Sequence, residues 1–216
     1  MASPYVVIGA AGSGSVFVEA ALTLAGLDYR LENVASPVAG SGEEVGKHNP
    51  MRQVPALITP SGELITESAA ILIWLAESHP EAKLGPATGD PGRAQFLRWI
   101  TFVSAAIYSL YWIRDDPSRI ADDEAGKMLV RERTADRILH CWSVMDSQIS
   151  PDPYLSGPTI GVLDLYVTVI SRWGRRRKRF YKVAPKLAEV VRRVDAEPRL
   201  AGLWAERFPF TDGWEG

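Results

Sequence analysis

The chain has 216 residues, of which 46% are hydrophobic, and a formal net charge of −2, so its apolar content suffices for one large or two modest folded domains. The near-neutral charge excludes a general polyanion binder, and we see neither a leader pattern nor the run of roughly 20 apolar residues that spans a membrane. We therefore expect a cytoplasmic protein that binds neither nucleic acid nor membrane. The single cysteine, Cys141, excludes an internal disulfide and a multi-cysteine metal site; we predict that it packs within a helix and that no metal is bound.

The first 80 residues alternate between the patterns of strands and helices. Short runs of β-branched and aromatic residues predict strands, and apolar residues three and four apart predict helices. In chain order the patterns predict a strand at 5–8, a Gly/Ser turn at 12–15, a helix at 16–25 stopped by Gly26, a strand at 29–34, a loop at 36–42, a short polar helix toward His48, a hairpin of strands 55–59 and 63–66, and a helix at 67–78.

Residues 79–91 are rich in proline and glycine, which is typical of a linker. Beyond the linker the apolar residues recur at helical spacing, with no convincing hairpin between the segments. These segments are 92–114, 122–147, 161–173 and 185–196. The sequence therefore predicts an α/β domain at 1–80 followed by an all-helical domain at 91–216.

The Gly/Ser turn joins a predicted strand to a predicted helix. The first amides of a helix lack partners and its dipole is positive there, so the turn favours a negatively charged group. The same residues also resemble a dinucleotide-binding loop, with Glu32 near the distance of a ribose-binding acid. That alternative conflicts with Ser15, which stands where a third close-packing glycine is needed, and with the lack of repeated βαβ units along the chain.

Two further motifs follow the turn. Pro55 opens a predicted strand after Val54 and suits an edge, a strand start or a cis turn, because proline cannot donate to a ladder. A cis bond would expose the backbone of Val54 to a peptide-like ligand; the plainer interpretation is a proline that starts a strand. Glu67 and Ser68 begin the helix at 67–78, where the first amides and the Ser68 hydroxyl can hold a carboxylate. The plainer interpretation of this pair is an ordinary helix cap.

Taken in order and at these spacings, the three motifs resemble the glutathione transferase family over nearly the whole chain. The resemblance implies a thioredoxin-like N-terminal domain, an all-helical C-terminal domain, and glutathione as co-substrate. It also implies that the backbone at Val54 and Pro55 pairs with the cysteinyl part of glutathione and that Gln53 contacts the tripeptide as well. Glu67 and Ser68 would bind its γ-glutamyl end.

The family's helical domain usually has a capping box before a core helix, and here Gly161 stands where serine or threonine is expected. Asp164 can still bond back to the first amides, and Ile160 with Leu165 can form a hydrophobic staple. We expect the fold to tolerate this departure.

A transferase must stabilise the sulfur of glutathione as a thiolate, because an ordinary thiol with a pKa of about 8.5 is mostly protonated at neutral pH. The resemblance to serine- and cysteine-type classes implies an activating residue in the turn, where Ser13 and Ser15 supply hydroxyls. We predict Ser13 as the donor and Ser15 as the alternative. Tyr5 takes part only if it reaches the site, and its place within a strand favours a structural role.

We expect the electrophile pocket between the domains, near Tyr108, Tyr111 and Trp112, where a small apolar or aromatic molecule would bind. The basic run at 172–182 is interpreted as a solvated loop, with binding of an anionic substrate or partner as the alternative.

The leading functional hypothesis is transfer of the glutathione thiolate to such an electrophile, as in detoxification. The family resemblance also implies a homodimer. The alternative is a protein of the same fold that binds glutathione or an apolar ligand with little or no turnover, because one fold hosts many functions. A thiol-disulfide oxidoreductase conflicts with the turn, which contains no cysteine.

Overall fold

The computed structural model describes residues 3–34, 42–173 and 177–209. The N-terminal part is a mixed sheet with strand order β2-β1-β3-β4, in which β1 pairs parallel with β2 and antiparallel with β3, and β3 pairs antiparallel with β4. The strands are β1 (Tyr5–Gly9), β2 (Tyr29–Asn33), β3 (Ala56–Ile58) and β4 (Leu64–Ile65), and the helices are α1 (Ser15–Ala25), α2 (Gly42–Gly46) and α3 (Ser68–Ser78). The predicted thioredoxin-like order of elements is confirmed. The loop predicted at 36–42 lies, up to residue 41, outside the described residues.

The central strand β1 is buried on both faces. Val7 and Ile8 are both fully buried, and because successive side chains point to opposite faces, they enter different clusters. Val7 joins the main core with Phe17 of α1, and Ile8 joins a smaller cluster with Val45 of α2. The end of β1 is therefore held firmly, and the Gly/Ser turn that follows it has a fixed position.

The rest of the chain is helical. Its elements are α4 (Arg93–Phe102), a π-helical segment (Val103–Tyr108), α5 (Ser109–Asp115), α6 (Glu124–Gln148), α7 (Val162–Arg172), α8 (Lys178–Val183), α9 (Pro185–Asp195) and α10 (Ala201–Arg207). Every residue of α7 is buried, and the ring of Tyr166 packs edge-on against Phe17 of α1 with centroids 4.8 Å apart. Both parts of the chain thus share one hydrophobic core, which includes the buried Cys141. We keep the domain bounds 1–80 and 91–216 as a proposal.

The stretch Arg93–Asp115 has a mean hydropathy of 1.3 over its most apolar window, so it is long and apolar enough to cross a membrane by length and composition alone. The core helix of a soluble protein meets the same test. Here Trp99, Ile100, Val103 and Ile107 are buried in the shared core. Of the window, 33% is buried inside the fold, so packing against the other helices accounts for part of the apolar character of this stretch.

The interpretation of the basic run as a solvated loop is wrong for Arg172 and Arg177. The guanidinium groups of Arg172, at the end of α7, and Arg177 both pair with the carboxylate of Asp195 in α9, and Arg177 also donates to the carbonyl of Thr168 at 2.7 Å. A buried arginine requires such partners, because an unpaired buried charge is costly. Residues 174–176 lie outside the described residues, and Lys178 begins a helix instead of continuing a loop.

The structure explains why a glycine, Gly161, caps α7 where serine or threonine is expected. The Asp164 carboxylate accepts the Gly161 N–H at 2.8 Å, as predicted, and also accepts the Leu155 N–H at 2.9 Å. A Cβ atom at Gly161 would lie 2.7 Å from the carbonyl oxygen of Leu84, which accepts the Val162 N–H. The close approach of the linker therefore leaves no room for serine or threonine at this position.

Candidate functional site

The turn after β1 uses both of its serine hydroxyls internally. The Ser13 hydroxyl donates to the Ala10 carbonyl at 2.7 Å and accepts the N–H groups of Ala10 and Ser15 at 3.2 and 3.1 Å. The Ser15 hydroxyl donates to the Glu19 carboxylate at 2.8 Å. Ser15 is fully buried and Ser13 is 5% exposed. Both hydroxyls therefore hold the turn together, and their predicted role toward a thiol stays a prediction.

Gly14 is the point where the turn meets two other segments. A Cβ atom added here would lie within 3.0 Å of the Tyr108 hydroxyl and 3.2 Å from Cδ of Pro55. The Tyr108 hydroxyl also donates to the carbonyl of Val54 at 3.4 Å. The start of α1, the Val54-Pro55 pair and the π-helical segment thus converge at one place.

The Val54-Pro55 peptide bond is cis, so the plainer interpretation of a proline that merely starts a strand is insufficient. Both residues are buried, whereas the Gln53 side chain is exposed. The Gln53 carbonyl accepts the side-chain N–H of Asn49 at 3.0 Å, which fixes the backbone before the cis bond. Val54 therefore presents its main chain beside the turn, and the ligand-binding roles of Gln53, Val54 and Pro55 stay predictions.

Glu67 and Ser68 lie at the start of α3 with opposite exposure. Glu67 is exposed and has a left-handed backbone with φ 64°, which a residue with a Cβ atom rarely adopts. Ser68 is buried, and its hydroxyl bonds the Tyr166 hydroxyl at 2.7 Å. No side chain caps the first amides of α3. A ligand carboxylate would meet those amides, and the negative charge of Glu67 beside them suits an ammonium group.

A group of aromatic rings covers the turn from the helical side. The ring of Tyr108 lies 4.9 Å from that of Trp173 and 6.1 Å from that of Tyr166, and Trp173 donates its indole N–H to the Gly12 carbonyl at 2.8 Å. Tyr166 and Trp173 were not predicted as site residues. Their place in a helix of apolar periodicity favoured core packing, and no signal in the sequence indicated which of them faces the turn.

Burial governs the protonation of the two tyrosines in this group. Burial raises the pKa of Tyr108 far above its usual value and that of Tyr166 to about 12, and the nearby charge of Glu67 acts in the same direction. Both hydroxyls therefore remain protonated and can donate hydrogen bonds at any physiological pH.

The structure does not bring together all of the aromatic residues predicted for the electrophile pocket. Tyr108 lies at the turn, but the Tyr111 hydroxyl donates to the Ile170 carbonyl at 3.3 Å inside the helical part. Trp112 is 47% exposed and is covered by the guanidinium of Arg119. Tyr5 bonds His79 Nε2 at 2.8 Å, so its hydroxyl has a structural partner at the opposite end of β1 from the turn.

The last described helix, α10, holds the turn in a way that sequence reasoning missed. Arg207 pairs with the fully buried Glu19 through two N–H groups, at 2.8 and 3.1 Å, and donates to Asn33 at 2.9 Å. Its carbonyl accepts the Gly12 N–H at 2.8 Å. Partners 188 residues apart leave no local pattern in the sequence. Among residues 3–34, 42–173 and 177–209, no three metal-ligating side chains cluster.

Comparison with known proteins finds similarity to glutathione S-transferases. Residues 17–78 match the family model for the glutathione S-transferase N-terminal domain. The uncharacterized GST-like protein YncG of Escherichia coli (strain K12) is 29% identical over 90% of this chain and 94% of its own, and glutathione S-transferase GstA of Escherichia coli O157:H7 is 23% identical over 79% and 78%. A glutathione transferase homolog from Sulfitobacter, crystallised with bound glutathione, superposes with a TM-score of 0.82 at 22% identity over 94% and 97% of the two chains. Residues 17–78 thus match a glutathione S-transferase N-terminal domain, and the chain has the glutathione transferase fold.

Proposed function

We propose that the protein is a glutathione transferase that conjugates the glutathione thiolate to a small apolar or aromatic electrophile. The observation that carries this proposal is the convergence at Gly14, where the start of α1 lies against Pro55 and close to the backbone of Val54. A peptide thiol bound along Val54 would have its sulfur beside the first amides of α1, where an anion is favoured.

The described residues fit the γ-glutamyl and cysteinyl units of glutathione that the proposal needs. The γ-glutamyl end carries a carboxylate and an ammonium group. The uncapped amides of α3 suit the carboxylate, and the exposed Glu67 suits the ammonium. The cysteinyl unit would pair with the main chain of Val54 by strand-like hydrogen bonds, with Gln53 beside it. Crystals of relatives with bound glutathione support glutathione as the co-substrate here.

The thiol must lose its proton at neutral pH, and a shift of two pKa units corresponds to about 2.7 kcal/mol. The first amides of α1 and one hydroxyl donor would supply this, since hydrogen bonds to charged groups contribute roughly 1.5 to 3 kcal/mol each. Ser13 and Ser15 remain our sequence predictions for the turn. For the electrophile pocket, our sequence predictions remain Tyr108, Tyr111 and Trp112.

A second function is favoured by one observation. Both turn hydroxyls already have partners inside the protein, so a donor for the sulfur is not supplied by the turn side chains in this conformation. A protein of this kind would bind glutathione or an apolar ligand with little turnover. A cytoplasmic location, a homodimer and a role in detoxification are further proposals that rest on the family.

Calorimetric titration with glutathione, together with ultraviolet detection of the bound thiolate across pH, tests the proposal. We expect binding, a thiol pKa well below that of free glutathione, and conjugation of an aromatic chloride activated by nitro groups. Binding with an unshifted thiol pKa and no conjugation would favour the binding protein. Failure to bind glutathione would exclude the transferase and leave only the binding of an apolar ligand by the same fold.

A further inference from the structure

In the turn that would hold the sulfur, both serine hydroxyls already have hydrogen-bond partners within the protein. Ser13 satisfies the buried N–H groups of Ala10 and Ser15, and Ser15 is bonded to Glu19. To donate to a ligand, the Ser13 hydroxyl would have to give up its 2.7 Å bond to the Ala10 carbonyl. Rotating the oxygen itself toward the ligand would also leave those N–H groups without acceptors, which costs about 1 to 3 kcal/mol for each buried group. A hydroxyl donor that gives up no such bond therefore comes from another segment.

Tyr108 brings a hydroxyl to this place from the helical domain. Its oxygen occupies the space that a side chain at residue 14 would take, because a Cβ atom on Gly14 would lie within 3.0 Å of it. The same oxygen lies 3.4 Å from the Val54 carbonyl. It therefore stands between the two segments to which the proposed function assigns the cysteinyl unit.

The orientation of Tyr108 is set by the fold before any ligand binds. The residue ends a π-helical segment, a rare geometry that is frequent at functional sites. Its ring packs against those of Phe17, Tyr166 and Trp173, with centroids 6.3, 6.1 and 4.9 Å apart. A donor that is already oriented needs no reorganisation when charge develops on its acceptor.

The Tyr108 hydroxyl is also protonated, as a donor must be, and its present hydrogen bond is weak. Burial keeps the phenol protonated, and the titratable groups that act on it, Tyr166 and Glu67, favour the protonated form further. Within the described part of the chain its acceptor is the Val54 carbonyl, and 3.4 Å is long for an O–H···O bond. If Val54 accepts the N–H of the cysteinyl unit instead, the phenol proton is free to turn toward the sulfur.

We infer that the Tyr108 hydroxyl is the hydrogen-bond donor that stabilises the glutathione thiolate. The inference rests on the proposed function and assigns its missing donor to the helical domain. The thiol proton leaves to water, the sulfur keeps the electron pair, and Tyr108 retains its own proton while donating to the anion. Trp173 holds the opposite side of the turn through the Gly12 carbonyl.

Tyr108→Phe tests the inference, because it removes one oxygen and keeps the ring packing. We expect the ultraviolet titration to show a thiol pKa raised by about one to two units in the variant, as loss of a charge-assisted hydrogen bond implies. Tyr5→Phe is the matched control, since its hydroxyl bonds His79, and it should leave the thiol pKa unchanged. Urea unfolding of both variants checks that each is folded.

S-methyl glutathione, which cannot form a thiolate, separates a donor from a structural support. At a pH above the thiol pKa of glutathione bound to the wild type, Tyr108→Phe should bind glutathione about tenfold or more weakly than the wild type does. Its affinity for the methylated compound should be unchanged. Equal losses for both ligands, or an unchanged thiol pKa in Tyr108→Phe, would overturn the inference while leaving the proposed function intact. A raised thiol pKa in Ser13→Ala alone would assign the donor to the turn. Absence of glutathione binding by the wild type would instead overturn the proposed function itself.

Discussion

The ion pair between Glu19 in α1 and Arg207 in α10 is the contact whose removal we expect to be most damaging. The Glu19 side chain is fully buried, that of Arg207 is 7% exposed, and their two hydrogen bonds measure 2.8 and 3.1 Å. Glu19 also accepts from Ser15, and the Arg207 carbonyl accepts from Gly12. The pair thus joins the last described helix to the turn at the site.

Arg207→Met would leave the Glu19 carboxylate buried with the Ser15 hydroxyl as its remaining partner. Removing one member of a buried ion pair costs about 3 to 5 kcal/mol, a large part of the roughly 5 to 15 kcal/mol that stabilises a typical domain. Glu19→Gln should cost a similar amount, because it leaves the guanidinium buried without its counter-ion. The double variant should cost less than the sum by about 1 to 3 kcal/mol, since the second change removes the orphaned charge. Urea unfolding followed by tryptophan fluorescence measures all three.

Arg199→Met is the matched control. Arg199 forms a 2.7 Å pair with Glu197, but its side chain is 60% exposed, so its loss should cost less than about 1 kcal/mol. The ion pair does not stabilise the turn if Arg207→Met lowers the free energy of unfolding no more than Arg199→Met does. The same conclusion follows if the double variant loses the full sum of the Glu19→Gln and Arg207→Met losses.

Three other positions give further predictions. Gly14→Ala directs a methyl group at Tyr108 and Pro55, so we expect the unfolding free energy to fall by about 1 to 3 kcal/mol and the heat of glutathione titration to weaken. Gly161→Ser should lose a similar amount in thermal unfolding despite the better capping of serine, because its Cβ atom would meet a linker carbonyl at 2.7 Å. Burial raises the pKa of Asp164 to about 7, so between roughly pH 4 and pH 7 the native state keeps a proton that the unfolded state releases. Stability should therefore fall as pH rises through this range, by at most about 1.4 kcal/mol per pH unit, and Asp164→Asn should lack this decline in denaturant titrations.

Gly202→Ala is the control for the two glycine variants, since a Cβ atom there meets open space within α10. It should be neutral or gain up to about 1 kcal/mol, because alanine favours helix over glycine. An equal loss at Gly202 and Gly14 would contradict the steric argument. A wild-type pH slope that persists in Asp164→Asn would show that another group titrates.

Local patterns predicted the elements whose signals are local. The strand at 5–8 appears as β1, the hairpin appears as β3 and β4, and Gly26 ends α1 in a left-handed conformation. Each depends on residues a few positions apart, such as a β-branched run or a glycine at a helix end. The cis bond before Pro55 was raised as one alternative and is present. Local sequence thus indicated both the α/β part and the cis bond before Pro55.

Local patterns failed where partners come from distant parts of the chain. The basic run predicted a solvated loop, but Asp195 draws Arg172 and Arg177 into the interior. The short helices α8 and α10 were missed, since six or seven residues carry little periodicity and their stability comes from packing.

The sequence by itself determined the order of elements in the α/β part, the helix that ends at Gly26 and the Val54-Pro55 and Glu67-Ser68 motifs, because those features depend on neighbouring residues. Only the tertiary structure decided that the turn serines bond within the turn and that Tyr108 faces Gly14. A hydroxyl's direction depends on which groups the fold brings within about 3 Å of it. For the serines those groups are near in sequence but are chosen by the conformation of the turn, and for Tyr108 they come from segments far along the chain.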